Sequence, residues 1–171
     1  MRKVVKQLLS LWLCVVVVLS VIPDISVQAN NTEETNEEVT LEEECEVIRI
    51  FGETRYETGY KIADALKEEL GVDTFNAVVV ATGKNFADAL AGSYLAVQKN
   101  APTLLTNGKE ENVAELHTYI AENVAEGGTV YILGGEDVVP KEVAAIDGYD
   151  VIRLEGETRY ETNLAILKEA G

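Results

Sequence analysis

From Val47 onward, short aliphatic and β-branched runs alternate with longer stretches in which apolar residues recur every three or four positions. Residues 47–50 read as a strand. Residues 57–70 read as a helix with Ile62, Leu66 and Leu70 on one face, closed by Gly71 in the place where glycine commonly ends a helix. Residues 77–81 form an unbroken apolar run, the pattern of a strand covered on both faces in a parallel sheet. A second helix is expected over residues 85–99, with Phe86, Leu90 and Val97 turned inward. Residues 103–105 give a third strand, and Thr106-Asn107-Gly108 a turn. An amphipathic helix carrying Val113, Leu116, Ile120 and Val124 follows, ended by Gly127-Gly128. Residues 129–133 are a fourth strand, Gly134-Gly135 a tight loop, residues 140–146 a short helix and residues 150–154 a fifth strand.

Strand and helix alternate strictly, which predicts a three-layer α/β module: a mostly parallel sheet flanked by helices, Rossmann-like or Toprim-like in kind. In such folds the loops after the carboxyl ends of the strands gather on one edge. Here they are residues 52–55, 82–85, 106–108 and 134–137.

An internal repeat divides the chain. Arg49-Ile50-Phe51-Gly52-Glu53-Thr54-Arg55-Tyr56-Glu57-Thr58 recurs as Arg153-Leu154-Glu155-Gly156-Glu157-Thr158-Arg159-Tyr160-Glu161-Thr162, identical at eight of ten positions. A period of about a hundred residues is a duplicated domain, well beyond the 20–50 of a solenoid unit. Residues 47–152 are therefore a first module and residues 153–171 the truncated start of a second.

Ahead of the modules, Arg2, Lys3 and Lys6 precede an apolar run from Leu8 to Ile22, and Val27 and Ala29 supply small residues at cleavage spacing. Residues 1–29 are read as a secretory signal, too short in its apolar part for a comfortable membrane span. Leu13 before Cys14 is larger than lipoprotein processing prefers. Residues 30–46, with eight Glu and no periodicity, form an acidic disordered linker. It holds Cys45, and one thiol cannot build an internal disulfide framework.

The chain carries 14 Lys and Arg against 30 Asp and Glu, a net charge of −16, and removing the signal makes the balance two charges more negative. Such a surface lacks the cations needed to neutralise nucleic-acid phosphates. Neither G-x-x-x-x-G-K-[ST] nor G-x-G-x-x-G occurs, so nucleotide binding has no motif behind it. After the signal there is one histidine, His117, and one serine, Ser93, both inside predicted helices rather than on a strand-to-helix elbow. No His, Cys and carboxylate cluster has metal-ligand spacing, and no cofactor is expected.

In the repeated motif, Thr54 and Glu57, like Thr158 and Glu161, stand three apart before an apolar helix and fit a capping box. Gly52 and Gly156 are expected to give the sharp exit from the strand that the cap requires. Arg55 and Tyr56, with Arg159 and Tyr160, are left as candidates either to grip an anion and stack on a sugar or to serve as an internal ion pair and a packed ring. Lys84 and Asn85 open the second helix, where an anion could sit on free amides; Asn85 serves more simply as its N-cap, with Asp88 completing it.

Taken in order, these segments resemble the cell-wall-binding repeat 2 family, modules found in tandem in surface and S-layer-associated proteins of Gram-positive bacteria. The likeness rests on Arg-x-x-Gly-x-x-Arg-Tyr-x-Thr at 49–58 and 153–162, on Ala81-Thr82-Gly83 with Phe86-Ala87-Asp88-Ala89-Leu90-Ala91, on Pro102-Thr103-Leu104-Leu105-Thr106, and on Val130-Tyr131-Ile132-Leu133-Gly134-Gly135. The resemblance implies non-catalytic, non-covalent anchoring of an exported protein through an anionic, teichoic-acid-like wall polymer, with neighbouring copies of the module as further partners. In the family a Pro-Ile-Leu-Leu segment is tied to polymer binding; it maps onto Pro102, Thr103, Leu104 and Leu105, with Thr103 departing from the family's Ile. The competing reading from the residues is a secreted ligand-binding or hydrolytic α/β domain using the strand-end loops. A third is a purely structural role, in which the repeats pack on one another.

Overall fold

A computed structural model describes residues 47–171 of the protein; the expected export signal and acidic linker lie outside the described residues. Its elements are α1 (Arg55–Leu70), β1 (Phe75–Thr82), α2 (Ala87–Gln98), β2 (Thr103–Thr106), α3 (Glu110–Asn123), β3 (Val124–Leu133), α4 (Lys141–Ala144), β4 (Asp150–Leu154) and α5 (Arg159–Ala170). The four strands form one sheet in the order β2-β1-β3-β4, and every pairing is parallel. The α/β reading holds, with four strands in place of five.

Alternation along the central strands builds two cores. Val78, Val80, Leu104, Val130 and Ile132 point to one face, where Ala63 of α1, Val113, Leu116 and Ile120 of α3, and Val143 of α4 cover them. Ala77, Val79, Ala81, Tyr131 and Leu133 point to the other, under Leu95 and Ala96 of α2 and Ile166 of α5. Burial of β1 on both faces is why its sequence is almost continuously apolar.

Residues 47–50 do not form a strand; they have no regular structure, and Val47, Ile48 and Ile50 are exposed. Their counterparts in the repeat, residues 151–154, do: β4 runs beside β3 with Arg153 opposite Ile132 and Leu154 opposite Leu133. A strand exists only by exchanging backbone hydrogen bonds with a neighbour, and residues 47–50 have no β3 beside them. The strand at the second occurrence of the repeated motif thus completes the sheet.

Two further expectations change. The α2 face turned inward is Gly92, Leu95 and Ala96, while Phe86, Leu90 and Val97 are exposed, Phe86 at 72%. Small residues win this face because the helix lies close on the sheet: a Cβ at Gly92 would come within 2.2 Å of the Leu133 side chain. Secondly, α3 stops at Asn123 rather than at Gly127-Gly128. Val124 is already extended and pairs with Phe75, and the glycines sit in the register shift at the start of β3, where Gly127 has φ 75°. Gly71 does close α1 as expected, with φ 64° and its amide donating to the Glu68 carbonyl.

The tight α2–β3 approach predicts that Gly92→Ala costs about 1–3 kcal/mol through overpacking, measured as a lower unfolding free energy in urea with the m-value unchanged.

Candidate functional site at the strand ends

The GETRYET segment sets the carboxyl edge of the sheet, and most of its residues serve local structure. Thr54 Oγ1 accepts from the Glu57 amide at 3.2 Å, and Glu57 Oε2 reaches back to the Glu53 amide at 2.7 Å. In the second copy the box is complete: Thr158 Oγ1 accepts from the Glu161 amide at 3.3 Å and Glu161 Oε2 accepts from the Thr158 amide at 3.0 Å. Thr58 and Thr162 each accept from the amide of the motif glycine, Gly52 at 2.9 Å and Gly156 at 3.1 Å. Neither glycine has a positive φ. Close approach is the reason for both, since a Cβ would lie 2.7 Å from Glu57 Cβ or 2.3 Å from Glu161 Cβ.

Arg55 and Tyr56 both reach the loop after β1 but line different clefts. Tyr56 packs on the loop after β1, where a Cβ at Gly83 would fall 2.6 Å from its ring. The Arg55 guanidinium donates through Nη1 to the Gly83 carbonyl at 2.7 Å, which leaves its other donors facing out. It opens onto a cleft of about 530 Å³ with Lys84 and Asn85 on the same loop and Phe86, Leu90 and Leu105 as an apolar wall. On the Tyr56 side lies a second cleft of about 550 Å³, lined by Glu53, Glu57, Glu111 and Glu115 with Lys109. The two clefts differ in sign: one presents two cations, the other four carboxylates.

Behind the acidic cleft, Tyr60 stacks on Tyr119 with ring centroids 4.6 Å apart, and Tyr119 donates to Asp64 Oδ1 at 2.7 Å. Burial, and then Glu115, push the Tyr60 hydroxyl up to about 12; burial and the bond to Asp64 push Tyr119 upward too. Both rings stay neutral and act as packing.

Of the residues expected to touch polymer, the structure brings Arg55, Lys84, Asn85 and Leu105 together around the cationic cleft. Asn85 is not the N-cap of α2; it lies one residue ahead of it and accepts from the Ala87 amide at 3.3 Å, while Phe86 takes the cap position without a side-chain bond. Pro102 and Leu104 are buried, Leu104 completely, and Thr103 is half-buried. The Pro-Thr-Leu-Leu segment is strand β2 and its lead-in, so Leu105 is the member that reaches the cleft. Arg159 and Tyr160 lie on α5 and do not line this cleft, and Tyr160 is exposed. Burial raises the Asp88 carboxyl, and Arg159 partly offsets that rise. Sequence reasoning missed Asn112, whose buried Oδ1 accepts from Thr106 Oγ1 at 2.9 Å and from the Asn107 amide at 2.8 Å and so fixes the loop after β2. An asparagine six residues past a Thr-Asn-Gly turn was its one signal.

Ser93 and His117 are engaged elsewhere. Ser93 Oγ donates to the Leu90 carbonyl at 2.7 Å, and His117 Nε2 lies 3.0 Å from the Val143 carbonyl. Their helices cover opposite faces of the sheet, so they cannot act as a pair.

The cap generates a pH prediction. The Glu53 amide, and then Lys61, hold the Glu57 carboxyl below its ordinary value of 4.5. A lowered carboxylate stabilises the fold above the unfolded value and loses that contribution as pH falls through the folded one. The stability gap between wild type and Glu57→Gln is therefore expected to be constant near neutrality and to shrink below about pH 4.5, as read by denaturant titration. Thr54→Ala is expected to cost about 1 kcal/mol, the usual worth of an N-cap.

Comparison with known proteins is consistent with this geometry. The family model described as cell wall binding domain 2 matches residues 49–144, more than half of the chain. The N-acetylmuramoyl-L-alanine amidase LytC of Bacillus subtilis (strain 168) is 31% identical over 128 residues, covering 73% of this chain and 24% of the amidase. Two solved structures from Clostridium difficile superpose with a TM-score of 0.55: Cwp6 at 31% identity, over 70% of this chain and 18% of that one, and Cwp8 at 35%, over 72% and 20%. The chain thus spans about a quarter or less of each relative. With the repeated motif, the parallel sheet and the strand-end loops in agreement, this chain belongs to the cell wall binding domain 2 family.

Proposed function

We propose that this module is a non-catalytic anchor that holds an exported protein on the cell wall by gripping an anionic, teichoic-acid-like polymer in the Arg55–Lys84 cleft. Wall binding itself follows from family membership; the polymer and the cleft are the proposal. The observation that carries it is the sign of the site. On a chain with net charge −16, two cations and an apolar wall converge at one strand-end cleft. That combination suits a phosphate-bearing sugar chain: the guanidinium fork and ammonium meet the phosphates while Phe86 and Leu90 lie along sugar faces.

Net attraction cannot supply the affinity, because acidic residues outnumber basic ones by about two to one. Binding is local and weak per module, and several modules on one polymer strengthen it through effective concentration. The same charge keeps the rest of the surface from sticking to the polymer, so contact is confined to the cleft.

Retention on walls carrying the polymer, compared with peptidoglycan stripped of it, tests the proposal. Charge-assisted hydrogen bonds are worth about 1.5–3 kcal/mol, so Arg55→Ala and Lys84→Ala should each weaken retention by about tenfold or more with the circular dichroism unchanged. Retention should also fall with added salt. Equal retention on stripped peptidoglycan, or full retention of the folded double variant, contradicts the proposal.

A further inference from the structure

Asparagine followed directly by glycine occurs once in the chain, at Asn107-Gly108 in the loop after β2. The pair carries a chemistry of its own. With no side chain on Gly108 to crowd the approach, its backbone nitrogen can attack the carbonyl carbon of the Asn107 side chain. The new N–C bond closes a succinimide ring, and the Asn107 Nδ2 group takes up the Gly108 amide proton and leaves as ammonia. Water then opens the ring at either carbonyl. One opening gives aspartate at position 107; the other gives isoaspartate, in which the main chain runs through the side-chain methylene. Water is the only co-reactant, and nothing is oxidised or reduced.

The fold restrains every group that this reaction must move. The nucleophile is occupied, since the Gly108 amide donates to Thr106 Oγ1 at 3.1 Å. The electrophile is held in an Asx turn, with Asn107 Oδ1 accepting from the Lys109 amide at 2.8 Å. The backbone ahead of both is pinned, because the Asn107 amide donates to Asn112 Oδ1 at 2.8 Å. Asn112 of α3 is the common anchor. Its Oδ1 also accepts from the Thr106 hydroxyl at 2.9 Å, and Asn112 and Thr106 are only 5% and 1% exposed. Asn107 and Gly108 themselves are half-buried, so the reacting pair lies at the surface and its anchor beneath it.

We infer that Asn107 is a site of spontaneous deamidation gated by Asn112: the pair reacts when the Asn112 contacts open and is protected while they hold. The two products act differently on this edge. Aspartate keeps an oxygen for the Lys109 amide and stands just ahead of α3, where a helix N-terminus favours negative charge. It adds a further carboxylate to the cleft lined by Glu53, Glu57, Glu111 and Glu115, which Asn107 also lines. Isoaspartate lengthens the main chain beside Gly108, where there is no room for it. Gly108 has φ 72°, and a Cβ there would lie 2.8 Å from Pro140 Cγ. That product displaces the loop from Pro140. Loss of ammonia makes the change one-way, so it accumulates with the age of the molecule.

Peptide mapping by mass spectrometry of the full chain, incubated at neutral pH, reads the conversion of residue 107. Folded wild type should convert at least about tenfold more slowly than the same chain in urea. Asn112→Ala removes both hydrogen bonds of the anchor and should speed conversion of the folded chain by about tenfold. Gly92→Ala, which strains the opposite face of the sheet, should leave the rate unchanged. Conversion of folded wild type at the rate seen in urea overturns the inference, as does a lack of conversion in urea. Equal acceleration by Gly92→Ala also overturns it, because global unfolding would then be the gate. Protection of β1 amides from exchange shows whether Asn112→Ala is folded; a folded variant with the wild-type rate contradicts the gate. If that protection is lost, Thr106→Val, which frees the Gly108 amide without a change of shape, decides: faster conversion supports the gate and an unchanged rate contradicts it.

Discussion

The outer edge of β3 is the constraint on which the molecule depends. A parallel strand buried on both faces cannot leave a row of amides and carbonyls unpaired beside an apolar core, where each unmet group costs about 1–3 kcal/mol. Here the partner comes from the next repeat. Arg153 and Leu154 tie β4 to the turn at Gly134, a position that needs glycine both for its φ of 99° and because a Cβ would meet the Asp88 carboxylate at 3.0 Å. The folding unit and the sequence repeat are therefore out of phase by one strand and one helix.

The same motif also frames the carboxyl edge of the sheet. Thr54, Glu57, Thr58 and Gly52 are spent on capping α1 and folding the chain tightly against it, and Tyr56 is spent on the Gly83 loop. What the fold leaves unspent is the outward part of Arg55, joined at the cleft by Lys84 of the loop it is bonded to. A rigid cap places one cation; a loop bonded to that cation places the other. The clefts on the two sides of α1 therefore differ in charge on one acidic chain, a difference of local sign rather than of net charge.

Much of this was legible from local chemistry. The capping box, the Gly71 terminus, the buried run of β1 and the parallel alternation are all read within a few residues of themselves, and the structure has them. The failures were non-local. Phe86, Leu90 and Val97 look like a core stripe because they are large, yet Gly92 and Ala96 take that face because the helix is pressed against Leu133. Residues 47–50 have strand composition, but among the described residues no strand lies beside them to pair with. Gly127-Gly128 resembles a helix stop, but a register shift opposite residues 75–77 claims it. In the site, Arg55, Lys84, Asn85 and Leu105 were identified by residue type and converge; the burial of Leu104 and the wall made by Phe86 and Leu90 depend on strand and helix phase, which pattern alone did not settle.

The account rests on β4 and α5 being structural parts of the first module's sheet, and native-state hydrogen exchange measures that directly. The amides of residues 130–133, 152–154 and around Ile166 should open together in one cooperative step at the global unfolding free energy, while residues 47–51 exchange at unprotected rates. Fast exchange across residues 150–171 with β1 and β3 still fully protected would show that the sheet closes without its borrowed strand, and would contradict the account.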